Sequence, residues 1–211
     1  MKVLIACEFS GIVREAFAKR GHDAWSCDLL PTELPGQHIQ DDIRNVLRHG
    51  GEDWDLVIAH PPCTYLTVTG NKWYKPEYKN RFPNREQQRK EAILFFEFFT
   101  MLKTRKVCIE NPVGIMSRIY RKPDQYIQPY QFGHPTTKKT CLWLKNLSLL
   151  KPTKIVKPEY FIAAGKKYSA TAYMSKISLN YPDYLPHGKE RSKLRSRTYQ
   201  GIANAMAEQW K

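Results

Sequence analysis

The stretch DLVIAHPPCT, residues 55–64, is the part of the sequence that decides the fold. Leu56 to Ala59 form an apolar run without polar alternation, which is typical of a short strand buried on both faces. Pro61 and Pro62 cannot continue a sheet ladder, so the strand must end there. Cys63 is therefore predicted on a stiff turn beyond the carboxyl end of a strand, where ligands gather in open α/β sheets. The alternative is a buried thiol that only fills space in the core.

A second apolar run ends in the same way. Residues 106–109 (KVCI) are predicted to form a strand, and Glu110, Asn111 and Pro112 follow it. If the two strands are neighbours in a parallel sheet, Cys63 and Glu110 face one cleft, because the carboxyl ends of parallel strands meet at the same edge.

The first 28 residues have the pattern of a nucleotide-type binding unit. A buried strand is predicted at residues 2–6, followed by the turn Phe9-Ser10-Gly11 and a helix over residues 12–20. The turn has one glycine and no GxGxxG, so taken alone it is a weak signal. A second strand, residues 24–27, ends at Asp28, which is placed either to accept hydrogen bonds from ribose hydroxyls or to form an Asx turn.

Two further acids and two helices complete the chain's recognisable pattern. Asp41 is a candidate cap for a short helix through Leu47, while Asp42 could point into a cofactor pocket. Asn84 is predicted to cap a longer helix, with Gln87 at the capping-box position. The last 14 residues or so, 197–210, are predicted to form a helix with an apolar side.

Residues 64–84 form a polar and aromatic loop between the Cys63 turn and that longer helix. A structureless loop of this length is usually functional or disordered. Its lysines, arginines and aromatic side chains suit phosphates and bases. The candidate contacts in this loop are Gly70, Lys72, Lys75 and Arg81.

The charge of the chain is strongly positive and unevenly spread. The net charge is +14, yet residues 1–60 carry 6 Lys/Arg against 10 Asp/Glu, a balance of −4, so that residues 61–211 carry +18. This asymmetry favours a polyanionic partner for the later part of the chain, with a merely soluble basic surface as the alternative.

Composition points to an ordinary globular protein rather than a membrane or secreted one. Hydrophobic residues make up 42% of the chain and charged residues 26%, and no apolar run has the length of a membrane span. Residues 1–6 are too short for a signal peptide. The five cysteines form no CxxC pair, so we expect reduced thiols, no metal site and a cytoplasmic, intracellular location.

These motifs resemble, in order, those of the cytosine-C5 DNA methyltransferases. PPCTYLTVTG at 61–70 resembles that family's Pro-Cys nucleophile loop, and IEN at 109–111 resembles its Glu-Asn-Val motif. FSG at 9–11 resembles the S-adenosylmethionine turn. TKKT at 137–140 resembles the basic motif that contacts the target cytosine, and QGIANAM at 200–206 resembles the C-terminal motif that returns to the cofactor pocket.

The resemblance implies a reaction and a set of site residues. The implied catalytic residues are Cys63, Glu110, Asn111 and Lys138. S-adenosyl-L-methionine is the implied cofactor, held by Phe9, Ser10, Gly11, Asp28, Asp42, Pro61 and Asn204. DNA is the implied partner, contacted by Gly70, Lys72, Lys75, Arg81 and Lys139. Either Lys138 or Lys139 can supply the contact to the base, the other being a solvated charge.

Each implied catalytic residue has a chemical role. The Cys63 thiolate, its pKa lowered by a basic turn, would add to C6 of a cytosine flipped out of its duplex. Glu110, as a carboxylic acid in a closed site, would protonate or hydrogen-bond N3. Asn111 would orient the nucleophile loop, and Lys138 would bind O2. Residues 64–84 would cover the site as a mobile lid.

The implied fold is the Rossmann-like fold of S-adenosylmethionine-dependent methyltransferases, a mostly parallel sheet with helices on both faces. We expect a catalytic and cofactor-binding domain at 1–144, a reduced target-recognition segment at 145–196, and a C-terminal helix at 197–211 that returns to the catalytic domain. The segment at 145–196 is short for the family's target-recognition domain, so the specificity determinants are expected to be reduced.

The sequence also departs from the family's pattern. Val13-Arg14 stands where the family has a second glycine pair, Asp28 where it commonly has Glu, Ala203 where it has glycine, and lysines stand where arginines are usual. Three other functions therefore stay open: the same chemistry on RNA such as tRNA, an amino-group methyltransferase, and a nucleic-acid-binding protein that kept the fold. Cys63 argues against the amino-group enzyme, whose motif ends Pro-Pro-aromatic.

Overall fold

A computed structural model describes residues 1–163, 166–169, 193 and 195–211. Five α-helices and nine β-strands lie in these residues. The helices are α1 Ile12–Ala18, α2 Ile43–Val46, α3 Arg85–Thr100, α4 Met116–Ile119 and α5 Gln200–Gln209. The strands are β1 Lys2–Ala6, β2 Asp23–Asp28, β3 His38–Gln40, β4 Leu56–Ala59, β5 Lys106–Pro112, β6 Gln125–Ile127, β7 Thr140–Lys145, β8 Tyr160–Ala163 and β9 Lys166–Ser169.

Seven of the strands form one sheet in the order β3-β2-β1-β4-β5-β7-β6. The first five in that order pair in parallel, whereas β7 runs antiparallel to both β5 and β6. The strand order reverses between β1 and β4, which is the switch point where open α/β sheets bind ligands. This topology confirms the predicted Rossmann-like fold. Strands β8 and β9 form a separate hairpin.

Helices cover both faces of the sheet, as predicted. Alternate residues of β1 and β4 divide between two apolar cores, because successive side chains of a strand point to opposite faces. One core joins Val3, Ile5, Leu56 and Ile58 to α1 and α5. The other joins Leu4, Ala6, Val57 and Ala59 to α2 and α3. The short β4 is buried at all four positions, which explains its unbroken apolar run.

Helix α5 packs against α1 and is fastened to the turn that follows β6. A Cβ atom at Gly201 would overlap the Phe132 carbonyl, so only glycine allows the helix to approach this closely. The Gly201 amide donates to Nε2 of His134 at 2.9 Å. Burial lowers the pKa of His134, which keeps the ring neutral and able to accept that bond.

Two predicted helix caps are wrong. Asp42, not Asp41, caps α2, and its side chain accepts from the Arg44 amide. Asn84 precedes α3 but makes no capping bond, because its backbone (φ −92°, ψ 8°) is not in the extended region that a cap requires. Gln87 bonds forward to Glu91 instead of back to Asn84.

The predicted structureless loop at 64–84 contains two 3₁₀ helices, Val68–Tyr74 and Pro76–Tyr78. Arg89 of α3 fastens it by donating to the Tyr65 carbonyl at 3.1 Å and to Asn71 Oδ1 at 2.7 Å. The segment is therefore ordered and docked on α3. The proposed recognition segment, 145–196, lies partly outside the described residues. None of the described helices is long and apolar enough to cross a membrane.

Candidate active site

The loop that carries Cys63 is attached to the strand that carries Glu110. Strands β4 and β5 are parallel neighbours, with Ala59 beside Ile109. One buried hydrogen bond ties the next residues together, since Asn111 Nδ2 donates to the Pro61 carbonyl at 2.7 Å. The Asn111 side chain therefore sets the position of the Pro61-Pro62-Cys63 turn relative to β5.

Backbone bonds extend this attachment beyond the cysteine. The Val68 amide donates to Val113 at 3.2 Å, and the Ile115 amide donates to Leu66 at 2.9 Å. Gly114 lies between them, where any Cβ would overlap the Leu66 carbonyl. The two loops at the carboxyl ends of β4 and β5 thus form one fixed unit.

Glu110 is paired with His60, a residue to which the sequence motifs assign no role. His60 Nδ1 lies 3.4 Å from Glu110 Oε2, and the two side chains are 10% and 20% exposed. Burial would raise the pKa of the Glu110 carboxyl, but the hydrogen bond and electrostatic effect of His60, the charge of Lys138 and a hydrogen bond from Thr140 hold that pKa below its ordinary value. Glu110 is therefore a carboxylate in the free protein, whereas the resemblance implied a carboxylic acid.

The Cys63 thiol is half-buried and feels charges of both signs. Burial, followed by the charge of Glu110, raises the pKa of the thiol above its ordinary value, while Lys138 and Arg195 oppose that rise. The expectation that a basic turn lowers this pKa is therefore wrong for the free protein. The surroundings hold a neutral thiol next to a carboxylate.

Lys138 is the lysine on the Cys63 side of the structure. Its charge acts on both Cys63 and Glu110, and its Nζ donates to the Arg195 carbonyl at 3.1 Å. Lys139 is exposed and stands 4.2 Å from the centre of the Tyr126 ring. Successive residues entering β7 point to opposite sides, which separates the two lysines.

Acidic side chains gather near the carboxyl ends of β1, β2 and β3. Burial, followed by the charges of Asp28 and Asp42 among others, raises the pKa of Cys7, which follows β1 directly. Asp28 is half-buried, and burial raises its pKa. It forms the predicted Asx turn, because Oδ1 accepts from the Leu30 amide at 2.9 Å. Asp42 also forms an ion pair with Arg44.

The turn Phe9-Ser10-Gly11 is buried. The carboxylate of the preceding residue, Glu8, accepts hydrogen bonds from this turn and from the start of α1. Glu8 accepts from the Ser10 hydroxyl at 3.1 Å, the Val13 amide at 2.7 Å and the Arg14 amide at 3.2 Å. The Glu8 carboxylate thus satisfies the free amides that begin α1, a position that favours negative charge. Gly11 has φ 72°, the left-handed conformation that glycine adopts without strain.

Arg14 fills the space beside this turn, at the position where the family has glycine. It is fully buried. Its guanidinium donates to oxygens of four residues from β2 to the following loop. These are Ser26 Oγ at 3.2 Å, Thr32 Oγ1 at 3.1 Å, Leu34 O at 2.8 Å and Pro35 O at 2.9 Å. Arg14 therefore holds the 29–36 loop against α1.

The chain before α5 crosses the same turn. Arg197 pairs with Glu33 at 2.8 Å, and Lys193 pairs with the same carboxylate at 3.3 Å. The Lys193 ammonium lies 5.2 Å from the centre of the Phe9 ring. The Glu33 amide in turn donates to the Phe9 carbonyl at 2.9 Å. These contacts place residues 193 and 197 above the candidate cofactor turn.

The remaining candidate residues lie further from this group. Asn204 is exposed on α5 and accepts from Gln200 Nε2 at 2.9 Å. Gly70 is buried against the Thr64 carbonyl. The exposed Lys72 lies over Trp73, and Lys75 pairs loosely with Glu77 at 3.9 Å. Arg81 lies near the rings of Trp73 and Phe82.

Three residues in these networks were missed in the sequence. Glu8 caps α1 through its side chain, His60 meets Glu110 across 50 positions, and Arg195 reaches the Cys63 environment from the C-terminal region. The adjacency of His60 to the Pro-Pro-Cys motif was the one available signal. The Glu8 cap is local, lying four residues before α1, but no sequence pattern singled it out. The Arg195 contact depends on a chain reversal that local sequence does not encode.

The residues at the β1 and β2 ends fit S-adenosylmethionine in part. Asp28, half-buried at the carboxyl end of β2, suits a ribose hydroxyl, since its second oxygen is not needed for the Asx turn. The glycine turn differs, because Glu8 already occupies the amides that would otherwise face an anionic ligand.

No family model and no curated protein matches the chain. Among solved structures, it resembles one described as a candidate DNA modification methyltransferase encoded within an E. coli prophage. The two are 16% identical with a TM-score of 0.46, and the match covers 74% of this chain and 51% of the other. The chain thus spans about half the length of that protein. The strand order, rather than this likeness, defines the fold.

Proposed function

We propose that this chain is an S-adenosylmethionine-dependent DNA methyltransferase that modifies C5 of cytosine through Cys63. The observation that carries the proposal is the meeting of three groups at one edge of the sheet. Cys63 and Glu110 follow or end the parallel neighbours β4 and β5, and Lys138 precedes the antiparallel β7. The charges of Glu110 and Lys138 both act on the Cys63 thiol. A lone buried cysteine would need neither a fixed carboxylate nor a lysine beside it.

The chemistry explains why a thiol is needed. C5 of cytosine is too weak a nucleophile to take a methyl group directly. Addition of the Cys63 sulfur to C6 makes C5 enamine-like, and therefore reactive. Glu110 would hold N3 and supply the proton that makes this addition easier, and Lys138 would bind O2. Asn111 would keep the nucleophile loop in register through Pro61.

The cofactor would supply the methyl group. Asp28 and Asp42 would hold its sugar and amino groups, with Phe9, Ser10 and Gly11 forming the wall of the pocket and Pro61 its edge. Asn204, on the exposed side of α5, is the least supported member of this set. Residues 193 and 197 lie over the Phe9 turn, so cofactor entry would require this crossing segment to open.

The DNA would lie along the basic loop that follows Cys63. Lys72, Lys75 and Arg81 are exposed there. Lys72 and Arg81 lie beside aromatic rings, an arrangement suited to phosphates and unstacked bases. Lys139 and Gly70 would extend this contact toward the thiol. The target cytosine must leave the duplex, which costs a few kcal/mol.

One observation favours a second function, a nucleic-acid-binding protein without methyl transfer. Glu8 and Arg14 fill and brace the cofactor turn, so the turn is satisfied without a ligand. Such a protein would bind nucleic acid with or without Cys63.

The direct test is methyl transfer from labelled S-adenosylmethionine. The substrates are duplex DNA, single-stranded DNA and tRNA of mixed sequence, each with wild type and Cys63→Ser. We expect label in 5-methylcytosine of DNA with wild type only. Label confined to tRNA would assign the RNA reaction, and label on adenine N6 or cytosine N4 would reject the C5 chemistry. Nucleic-acid binding without any methyl transfer would favour the second function, that of a nucleic-acid-binding protein.

A further inference from the structure

His60 is the one residue of this group whose type the proposed reaction does not yet explain. It follows β4 directly, and its amide is held by the Ala6 carbonyl of β1 at 2.9 Å. Its side chain is nine-tenths buried. Within the described part of the chain, Nε2 has no hydrogen-bond partner, while Nδ1 faces Glu110 Oε2.

A histidine needs a reason to be buried in this way, because an unpartnered ring nitrogen is costly. The pairing at Nδ1 fixes the tautomer that suits the site. With the proton on Nδ1, the ring donates to Glu110 and leaves the bare nitrogen Nε2 as the unpartnered atom. The 3.4 Å separation is long for a charge-assisted bond, and catalytic bonds are commonly long before substrate binds.

We propose that His60 is a positioning residue that acts through Glu110. Its Nδ1–H engages Oε2, keeps the carboxylate ionised at rest, and orients Oε1 to carry the proton of the Cys63 thiol to N3 of the cytosine. This inference rests on the proposed function, and it names the origin of the proton that the reaction needs.

The proposed step balances without an external proton. The Sγ–H bond breaks and its proton passes to Oε1, while the sulfur electron pair forms the bond to C6. The electrons of the C5=C6 double bond shift toward N3, which takes the proton from Oε1. Glu110 is again a carboxylate, and His60 has kept its Nδ1 proton throughout. Proton transfer from a thiol to a carboxylate is uphill alone, so sulfur addition must accompany it.

Charged groups from two other parts of the chain act on Glu110 and Cys63. Lys138, which precedes β7, acts on both Glu110 and Cys63, and Arg195, which precedes α5, acts on Cys63. The Thr140 side chain, at the start of β7, also bonds to Glu110 and lowers its pKa. We assign the acidic limb of the pH profile to Glu110. Without the His60 hydrogen-bond donor, burial would raise the pKa of Glu110. The acidic limb of the pH profile of methyl transfer would then move to higher pH.

The first experiment needs neither cofactor nor DNA. Nitrogen-15 NMR of histidine-labelled wild type at neutral pH should show the His60 proton on Nδ1, with a resonance protected from exchange. Glu110→Ala should remove that protection, while the exposed His49 serves as an unchanged internal control. A proton on Nε2, or a resonance indifferent to Glu110→Ala, would overturn the inference whatever the protein catalyses.

The second experiment is the pH profile of methyl transfer for wild type, His60→Ala and His60→Asn. Asparagine can place an N–H near the position of Nδ1. We expect His60→Ala to lose about 10- to 100-fold in rate, with its acidic limb at higher pH, and His60→Asn to restore most of both. Coincident acidic limbs in wild type and His60→Ala would refute the inference. Wild type that transfers no methyl group would refute the proposed function, and the NMR result would still decide the pairing.

Discussion

The two halves of the sheet's carboxyl edge treat their polar groups differently. At the β4–β5 half, Cys63 is a thiol beside a carboxylate, and His60 Nε2 has no partner among the described residues. At the β1–β2 half, Glu8 takes three donors, and Arg14 donates to oxygens of four residues beyond its own helix. At the β4–β5 half, a buried polar atom is left without a hydrogen-bond partner among the described residues. At the β1–β2 half, the buried Glu8 and Arg14 side chains form their hydrogen bonds within the protein.

This difference separates two kinds of requirement. The proposed nucleophile and its carboxylate partner would have to be fixed before substrate arrives. The backbone bonds around Gly114 and the Asn111–Pro61 bond fix the loops that carry them. A cofactor turn must open to a ligand. The Glu8 and Arg14 networks and the crossing segment at 193 and 197 instead stabilise it in the free protein. If this division holds, substitutions at the β4–β5 half should change the chemistry most, and substitutions in the Arg14 network should change stability most.

The largest expected effect comes from replacing cysteine by serine at the β4–β5 half of the sheet's carboxyl edge, with the same replacement at the β1–β2 half as the control. Cys63→Ser should lower methyl transfer at least about 1,000-fold, because an alcohol is a far weaker nucleophile than a thiolate. Cys7→Ser is the matched control, being a half-buried thiol after the neighbouring β1. Cys7→Ser should keep most of the activity. Equal loss of activity in both variants would contradict the difference between the two halves of the sheet edge.

On the cofactor half, Arg14→Met should destabilise the protein by about 3 kcal/mol or more in urea unfolding. The substitution keeps the side chain's length but removes the donor from the buried Ser26 hydroxyl and from three partly buried oxygens of the 29–36 loop. Arg20→Met is the matched control, since Arg20 makes only a long, exposed ion pair with Glu208 at 3.8 Å, and it should stay within about 0.5 kcal/mol of wild type. Similar stabilities for the two variants would show that the Arg14 network is not structural.

The charges around Cys63 should set its reactivity in the free protein. Glu110→Gln removes a charge that raises the thiol pKa, so alkylation by iodoacetamide at pH 8 should accelerate about threefold or more. Lys138→Met removes a charge that lowers that pKa and should slow the reaction. Mass spectrometry of the Cys63 peptide measures both rates. If both substitutions changed the Cys63 alkylation rate in the same direction, the effects assigned to the Glu110 and Lys138 charges would be wrong.

The smallest effect concerns the attachment of α5. Burial lowers the pKa of His134 below its ordinary 6.5, and Nε2 must stay unprotonated to accept from Gly201. As pH falls through 6.5, the unfolded chain takes up the proton first, so the folded state loses stability, by less than about 1 kcal/mol. His134→Gln removes the titration, and the wild-type and variant unfolding curves should diverge below that pH. Parallel pH dependences would reject the assignment.

Much of the fold was predictable because local sequence encodes it. The apolar run from Leu56 to Ala59 can only be buried, and Pro61 ends it, so β4 and the position of Cys63 followed directly. Strand β5 was predicted to end before Glu110 but continues to Pro112, because its last residues pair with β7 rather than with β4. The three-residue strands β3 and β6 were missed, since neither is long enough to show a period.

The candidate site was less predictable than the fold, because its chemistry depends on neighbours distant in the chain. Glu110 was found from its position, but its ionisation depends on His60 and Lys138. The Cys63 pKa was predicted in the wrong direction, because burial and Glu110 outweigh the basic side chains. Arg14 was recognised as a departure, yet its partners in the 29–36 loop could not be inferred from sequence.

The central claim, that Cys63 forms a covalent bond with cytosine, has a direct measurement. Wild type, Cys63→Ser and Cys7→Ser are incubated with S-adenosylmethionine and mixed-sequence duplexes carrying 5-fluorocytosine, whose fluorine blocks release of the adduct. Mass spectrometry then locates the modified peptide. The account predicts a denaturation-stable adduct at Cys63 in wild type and Cys7→Ser, and none in Cys63→Ser. Methyl transfer to cytosine C5 without an adduct, or an adduct on another residue, would contradict it.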